Sequence, residues 1–249
     1  MEVIYTAIVG SKMHGLTTPD SDQDIRYITR MPLRDIISPF KNDDVKVANA
    51  EGQDVESWEL RHFVKHLCQG NPTMYEVIKT PYFWSESDWD ASEIRSIMPL
   101  AFDATKIVFA HIGYAEAQLS RYLRKAKNMF SFNPELKYVH DIWEENQYRR
   151  IPKSIVAAYR VLAQGEQLLL TGDFQPKIKD YSPELHDKLM AIKTMDHNDM
   201  TSDFINHHLD EIEKNIQGLK QTYTNLNPEI KDKKPDIEKI VDILSGFYN

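Results

Sequence analysis

Three aspartates on alternate positions, Asp20, Asp22 and Asp24, follow an apolar run ending in Gly10-Ser11, within the stretch AIVGSKMHGLTTPDSDQDIRYI. Three chemistries compete for them. A phosphate-binding P-loop would match Gly10 and Gly15, but Leu16 stands where the lysine for the terminal phosphates belongs. A calcium loop would match the aspartates as its first ligands, but its turn glycine is replaced by Ile25 and its bidentate acid by Met31. The third reading is a carboxylate floor for metal-assisted phosphoryl chemistry. Residues i and i+2 of a strand face the same side, so Asp22 and Asp24 are expected to hold one or two Mg²⁺ (or Mn²⁺) ions. Two ions roughly 4 Å apart clamp the attacking and leaving oxygens of an in-line displacement. Gly10-Ser11 would let backbone and hydroxyl approach a phosphate closely. Arg26, on the same face, is placed to reach a phosphate or to brace a carboxylate. A solvated acidic turn before a half-buried strand is the plainer alternative, and it leaves the upstream Gly-Ser without a purpose.

Positioning these residues calls for a small sheet. Val3 to Val9, Asp22 to Ile28, Val45 to Ala48 and Asp54 to Trp58 read as strands. From Glu59 the period becomes helical, with Leu60, Phe63, Val64 and Leu67 on one face and Gly70 closing the helix. Asn71 caps the next helix, with Pro72 at its first position and Met74, Val77 and Ile78 on its apolar face. Near residue 95 the pattern turns almost wholly helical. Helices are expected over 99–127, over Pro152 to Leu170 with Gly172 closing it, and over 182–193, 199–217 and 235–247. Residues 225–236 read as a loop. The expected fold class is α/β (α+β), with a mixed-sheet core over 1–95 and a helical domain over 96–249 closing a cleft.

The 249 residues carry a net charge of −8, with 41% hydrophobic and 27% charged residues, the balance of an ordinary soluble protein. That charge excludes a general nucleic-acid coat, so any such contact must be local. Arg121, Arg124, Lys125 and Lys127 form one basic run, more simply read as a solvated face, and Arg149, Arg150 and Lys153 another. The single cysteine, Cys68, rules out a disulfide framework or a cysteine zinc site. No apolar run approaches the roughly 20 residues of a membrane span, and the opening MEVIYTAIVG reads as a strand. The expectation is a cytoplasmic protein with no membrane partner. His62 and His66 lie one turn apart without a third ligand at a telling spacing. His14 is either a phosphate contact or a loop filler, and His207-His208 reads as surface helix.

Gly-Ser followed by Asp-x-Asp resembles the signature of the DNA polymerase beta superfamily of nucleotidyltransferases. The longer string VGSKMHGLTTPDSDQDIRYI is similar to a branch found in bacteria and phages, some of it associated with RNA ligases. The matching residues are Gly10, Ser11, Gly15, Ser21, Asp22, Asp24 and Arg26. The string DVESWELRHFVKHLCQGNPTMYEVI looks like the branch's following segment, and the resemblance then places the third acid at Asp54, with Glu56 in reserve. PKSIVAAYRVLAQGEQLLLTGDF resembles its helical segment, where Lys153 and Arg160 would grip a triphosphate; Tyr159 stands where a histidine is expected. The likeness covers residues 3–85 well and 110–175 more loosely. It implies NMP transfer from an NTP to an acceptor hydroxyl, with an RNA or tRNA end as the candidate acceptor and with catalytic and metal-binding Asp22, Asp24 and Asp54. The alternatives are a nucleotide-binding regulatory protein without transfer activity, an enzyme that nucleotidylates a protein or small molecule, and a phosphohydrolase on the same site.

Overall fold

The structure, a computed structural model, describes residues 2–37, 46–50, 53–85 and 90–248. Among these, five strands form one mixed sheet in the order β3-β4-β2-β1-β5. They are β1 (Glu2–Ile8), β2 (Gln23–Arg30), β3 (Lys46–Ala50), β4 (Gln53–Glu59) and the short β5 (Phe83–Trp84). β1 is antiparallel to β2 and β5, and β3 is antiparallel to β4. β2 and β4 run parallel, pairing Asp24 with Asp54 and Arg26 with Glu56. A parallel pair cannot be closed by a tight hairpin, and the described part of the connection holds one helical turn, Leu33–Ile36, and β3. The expected strand start at Val45 lies outside the described residues.

β1 is buried along most of its length because a central strand is covered on both faces, and Ile4, Tyr5 and Ala7 are fully enclosed. A five-residue helix, α1 (Gly10–His14), follows it directly. α2 (Leu60–Cys68) lays Leu60, Phe63, Val64 and Leu67 into the core. α3 (Pro72–Lys79) starts as its sequence dictates, the Asn71 side chain accepting from the Thr73 N–H at 3.0 Å with Pro72 at the first position.

The helix expected over 99–127 is three pieces. α4 (Ala91–Leu100) stops after Pro99, and Asp103 caps a fresh start. α5 (Ala104–Gln118) then passes through a π turn over Leu119–Leu123 into α6 (Arg124–Phe132). Periodicity alone cannot see that break, because the apolar stripe continues through the π turn. α7 (Arg150–Thr171) is the long helix expected from Pro152, and it packs along α5. α8 (Pro183–Lys193), α9 (Ser202–Thr224) and α10 (Ile237–Tyr248) complete the chain, with α9 one to two turns longer than expected. The expected loop 225–236 holds one helical turn, Pro228–Lys231. α10 returns to the sheet: Arg30 Nη1 donates to the Phe247 carbonyl at 2.8 Å, and the Tyr248 hydroxyl donates to Glu59. A single apolar cluster runs from Ile4 to Phe247, so sheet and helices share one core. The fold is thus α+β, a small mixed sheet with many helices.

Candidate active site

The ends of β1 and β2 meet where Gly10 approaches Asp24. Gly10 has φ +63, and a Cβ built on it would lie 1.7 Å from Asp24 Oδ2. The Val9 N–H donates to the Asp24 carbonyl at 3.0 Å, which locks the glycine loop to β2. Asp54 pairs with Asp24 on the neighbouring strand. Burial pushes the Asp24 carboxyl above its usual range; Arg26 opposes the rise and the Asp54 charge adds to it.

Arg26 is the cation of this face. Its guanidinium lies 3.0 Å from Asp54, 3.5 Å from Glu56 and 3.8 Å from Asp24. Nη1 also donates to the Asp54 carbonyl at 2.8 Å, so Asp54 is held by side chain and backbone together. Of the two roles open to Arg26 in the sequence, bracing the carboxylates is the one the geometry displays. Glu56 shares the face, as strand parity requires, and burial lifts its carboxyl too.

Asp22 differs from expectation. It precedes β2, which begins at Gln23, and it is exposed. Strand parity therefore does not fix its direction. Asp20 is exposed in the preceding turn. Ser21 closes that turn, accepting from the Thr18 N–H at 2.9 Å.

Ser11 has a partner that sequence reasoning did not find. Lys193, the last residue of α8, donates to Ser11 Oγ at 2.7 Å, to the Leu16 carbonyl at 2.6 Å and to Ser21 Oγ at 3.1 Å. Burial lowers its ammonium below the ordinary value; Lys153 and Arg160 push the same way and Asp24 opposes them. Lys153 and Arg160 are thus near enough for their charges to be felt by Lys193, and Lys153 is exposed. Lys193 is the cation that contacts the Gly10-Ser11 corner directly.

Arg160 has one of its nitrogens engaged within the fold. Its Nη1 donates to Glu76 and to His14 Nε2. The other His14 nitrogen, Nδ1, donates to the Pro176 carbonyl at 2.9 Å. That pair of contacts requires a neutral imidazole, and burial and Arg160 both press its pKa down. Burial raises Glu76, but the Arg160 guanidinium outweighs it and holds the carboxylate ionised. His14 is therefore a buried strut between the glycine loop and α7. Glu76 was legible in principle: an acid on the apolar side of α3, beside Met74, Val77 and Ile78, must find a buried cation. Lys193 was not, since only the chain's return brings α8 to the loop.

His208 corrects another expectation. It is buried rather than on the surface, its Nδ1 lying 3.0 Å from the Tyr159 hydroxyl, which donates to Glu211 at 2.8 Å. Lys188 donates to both Glu211 oxygens at 2.8 Å. Tyr159, in the position where the resemblance expects histidine, is thus tied to α9. Of the basic run on α6, Arg124 is already paired with Glu116 and Glu213.

The carboxylates suit a hard divalent ion. Asp24 and Asp54 are adjacent and partly open, and the missing side chain of Gly10 makes room for Asp24. A mixed sheet carrying such a pair beside a Gly-Ser turn defines a polymerase beta-like nucleotidyltransferase fold. More particularly, the chain belongs to the RNA repair pathway DNA polymerase beta family, whose model matches residues 1–243. It is similar to the uncharacterized protein YcgL of Bacillus subtilis (strain 168), 24% identical over 126 residues, which is 50% of this chain and 48% of that one. It is also similar to an uncharacterized 38.9 kDa protein of the nrdC-mobD intergenic region of Enterobacteria phage T4. There the identity is 26% over 155 residues, 58% of this chain and 46% of that one. The chain spans about half the length of these curated relatives. No helix among the described residues is long and apolar enough to cross a membrane.

Proposed function

We propose that the protein moves an NMP from an NTP to an acceptor hydroxyl at an RNA end, releasing pyrophosphate. The observation that carries this reading is the in-register pairing of Asp24 with Asp54 against a glycine that has no room for a side chain. The family description, an RNA repair pathway, favours RNA as acceptor. Asp24 and Asp54, with Asp22 from the turn, would hold Mg²⁺ or Mn²⁺. The bound ion would neutralise charge building on the phosphate oxygens.

The chain's own residues do the rest. Ser11 offers its hydroxyl to the triphosphate. Lys193 and Lys153 supply positive charge at that corner, where preorganised cations stabilise the transition state. Arg160, anchored by Glu76, adds its field from behind. Asp54, fixed by Arg26, accepts the proton of the acceptor hydroxyl. The acceptor oxygen bonds to the α-phosphorus, the bond from that phosphorus to the bridging oxygen breaks, and pyrophosphate departs. Residues 96–249 act in this reading as a domain closing the cleft, since they bring Lys153, Arg160 and Lys193 to it.

The test supplies α-labelled NTPs, Mg²⁺ or Mn²⁺ and RNA with free 3′ hydroxyls to wild type and to Asp24→Asn. Label should reach RNA with wild type only. Equal labelling by the variant would sink the metal-carboxylate mechanism. NTP binding without transfer to any acceptor would favour a nucleotide-binding regulatory protein.

A further inference from the structure

The row of acids on β4 leads into a cavity that nothing above uses. Asp54, Glu56 and Trp58 alternate along one face of the strand. Beyond Asp54 a hollow of about 250 Å³ opens, lined by Glu56, Trp58, His62, His66, Asn71 and Thr73. Its walls are one side of α2 and the N-terminus of α3. The volume falls below the roughly 300–1,000 Å³ that drug-sized ligands fill. It suits one sugar-and-base unit better than a nucleoside triphosphate.

Its chemistry is neutral hydrogen bonding on an apolar floor. The His62 and His66 rings lie 4.3 Å apart, centroid to centroid. Burial, the neighbouring His62 and Lys65 all hold His66 below its ordinary pKa, so it enters as an uncharged donor and acceptor. Asn71 spends its carbonyl on the Thr73 N–H at 3.0 Å, which leaves its NH₂ to donate. The Thr73 hydroxyl is a second adaptable group. No lysine or arginine is among the lining residues, and Glu56 brings a carboxylate to the rim. The Glu56 carboxylate therefore opposes a phosphate on its side of the cavity.

The sheet order gives the site a direction. Moving from β1 through β2 to β4, one meets Gly10-Ser11 with Lys193, then Asp24, then Asp54 and Glu56, and it is Glu56 and Trp58 of β4 that line the cavity. Lys193 thus lies on the β1 side of the acids and the cavity on the β4 side. We infer that this cavity receives the terminal nucleoside of the acceptor RNA, presenting its free ribose hydroxyls to Asp54. This assignment rests on the transferase reading for its direction. Exposed Lys65, between His62 and His66 on α2, is placed for the phosphodiester that joins the terminal nucleoside to the strand.

The experiment needs no turnover. An oligoribonucleotide ending in 2-aminopurine with free 2′ and 3′ hydroxyls is titrated with the full chain, followed by fluorescence, beside the same oligonucleotide ending in a 3′-phosphate. The hydroxyl form should bind at least tenfold tighter. His62→Ala with His66→Ala should weaken its binding about tenfold while NTP affinity, read by calorimetry with Mg²⁺, stays within twofold. Glu56→Gln, a second variant, should bring the 3′-phosphate oligonucleotide within threefold of the hydroxyl form. Equal binding of the two ends by wild type, or unchanged oligonucleotide binding in the histidine variant, overturns the assignment. Adenosine competing as well as the whole oligonucleotide would overturn the RNA strand as occupant in favour of a small-molecule acceptor. The two readings fail separately. Discriminating oligonucleotide binding without transfer of label removes the transferase and leaves the cavity assigned. Transfer with an unchanged acceptor KM in the histidine variant removes the cavity alone.

Discussion

The Asp24 carboxylate occupies the space a side chain on Gly10 would need, 1.7 Å from Oδ2 to the ideal Cβ position. Gly15 provides the control for that relationship, since it too has positive φ, +71, but faces nothing within 4 Å. Alanine at either position carries the left-handed backbone penalty of about 1–2 kcal/mol. Gly10→Ala alone must also displace Asp24. Gly10→Ala should therefore lose transfer about a hundredfold, while Gly15→Ala, equally destabilised in urea unfolding, keeps activity within a few fold. Equal losses in the two variants would show that Gly10 matters only through its backbone.

Arg26 holds three carboxylates that are each partly open to water. Removing it as Arg26→Gln leaves their mutual repulsion uncompensated from within. Because solvent screens such groups, the expected loss is modest, about 1–2 kcal/mol. A divalent ion should substitute for the missing charge. Millimolar Mg²⁺ should raise the Tm of wild type, and raise that of Arg26→Gln by more, whereas Na⁺ at equal ionic strength should not. Identical, ion-indifferent melting curves would argue that these acids bind no metal.

Lys193 donates to Ser11 and Ser21, at the corner where a triphosphate is proposed. A charge-assisted hydrogen bond is worth about 1.5–3 kcal/mol, and 1.4 kcal/mol is tenfold in affinity. Lys193→Met should weaken NTP binding tenfold or more and leave binding of the uncharged nucleoside unchanged. Calorimetry with ATP and adenosine makes the comparison. A parallel loss for both ligands would mean that the lysine only staples the loop.

The sequence carried the sheet well because its strands are short apolar or alternating runs and its helix boundaries have chemical punctuation, Asn71-Pro72 above all. It carried the closeness of Gly10, Asp24 and Asp54 because these residues lie at or beside strand ends that pair in register. The rest depended on distances the chain covers only when folded. Ser11 and Lys193 are brought together by α8, and Glu76 and Arg160 by the packing of α3 and α7. The π turn after Gln118 escaped because it preserves the apolar stripe while shifting its phase. Asp22 was misassigned to the strand for an opposite reason: parity was applied one residue beyond where the strand begins.

The buried ion pair of Glu76 and Arg160 has side chains only 9% and 15% exposed. Breaking such a pair strands a charge and costs about 3–5 kcal/mol. Glu76→Gln should destabilise the fold by that order, and Arg160→Met alone should do the same. The double variant should recover much of the loss, since neither charge is then stranded. Denaturant unfolding of the four proteins closes the cycle. Additive losses would mean that the two residues act independently.

Acid should weaken the fold through its buried histidines. His111 is fully enclosed, its Nδ1 donating to the Ile107 carbonyl at 2.8 Å and its Nε2 without a partner. Burial lowers it to about 4, and burial, with His207 and Lys188, lowers His208 to about 4 as well. An unfolded chain takes up these protons near pH 6.5. Between about 6.5 and 4 the unfolded state therefore binds more protons, and stability must fall as pH falls through that window. Glu76, depressed in the fold, adds a loss in the same direction once pH drops below the ordinary carboxylate value. Asp24 and Glu56 are raised and work the other way, taking protons first in the folded state. The histidines should dominate above pH 5, where few carboxylates titrate. Urea unfolding at half-unit steps from pH 7.5 to 5 should show a steep decline, and His111→Leu should flatten it by up to about 1.4 kcal/mol per pH unit. A decline of the same slope in His111→Leu would mean that this imidazole is protonated in the folded protein as readily as in the unfolded chain.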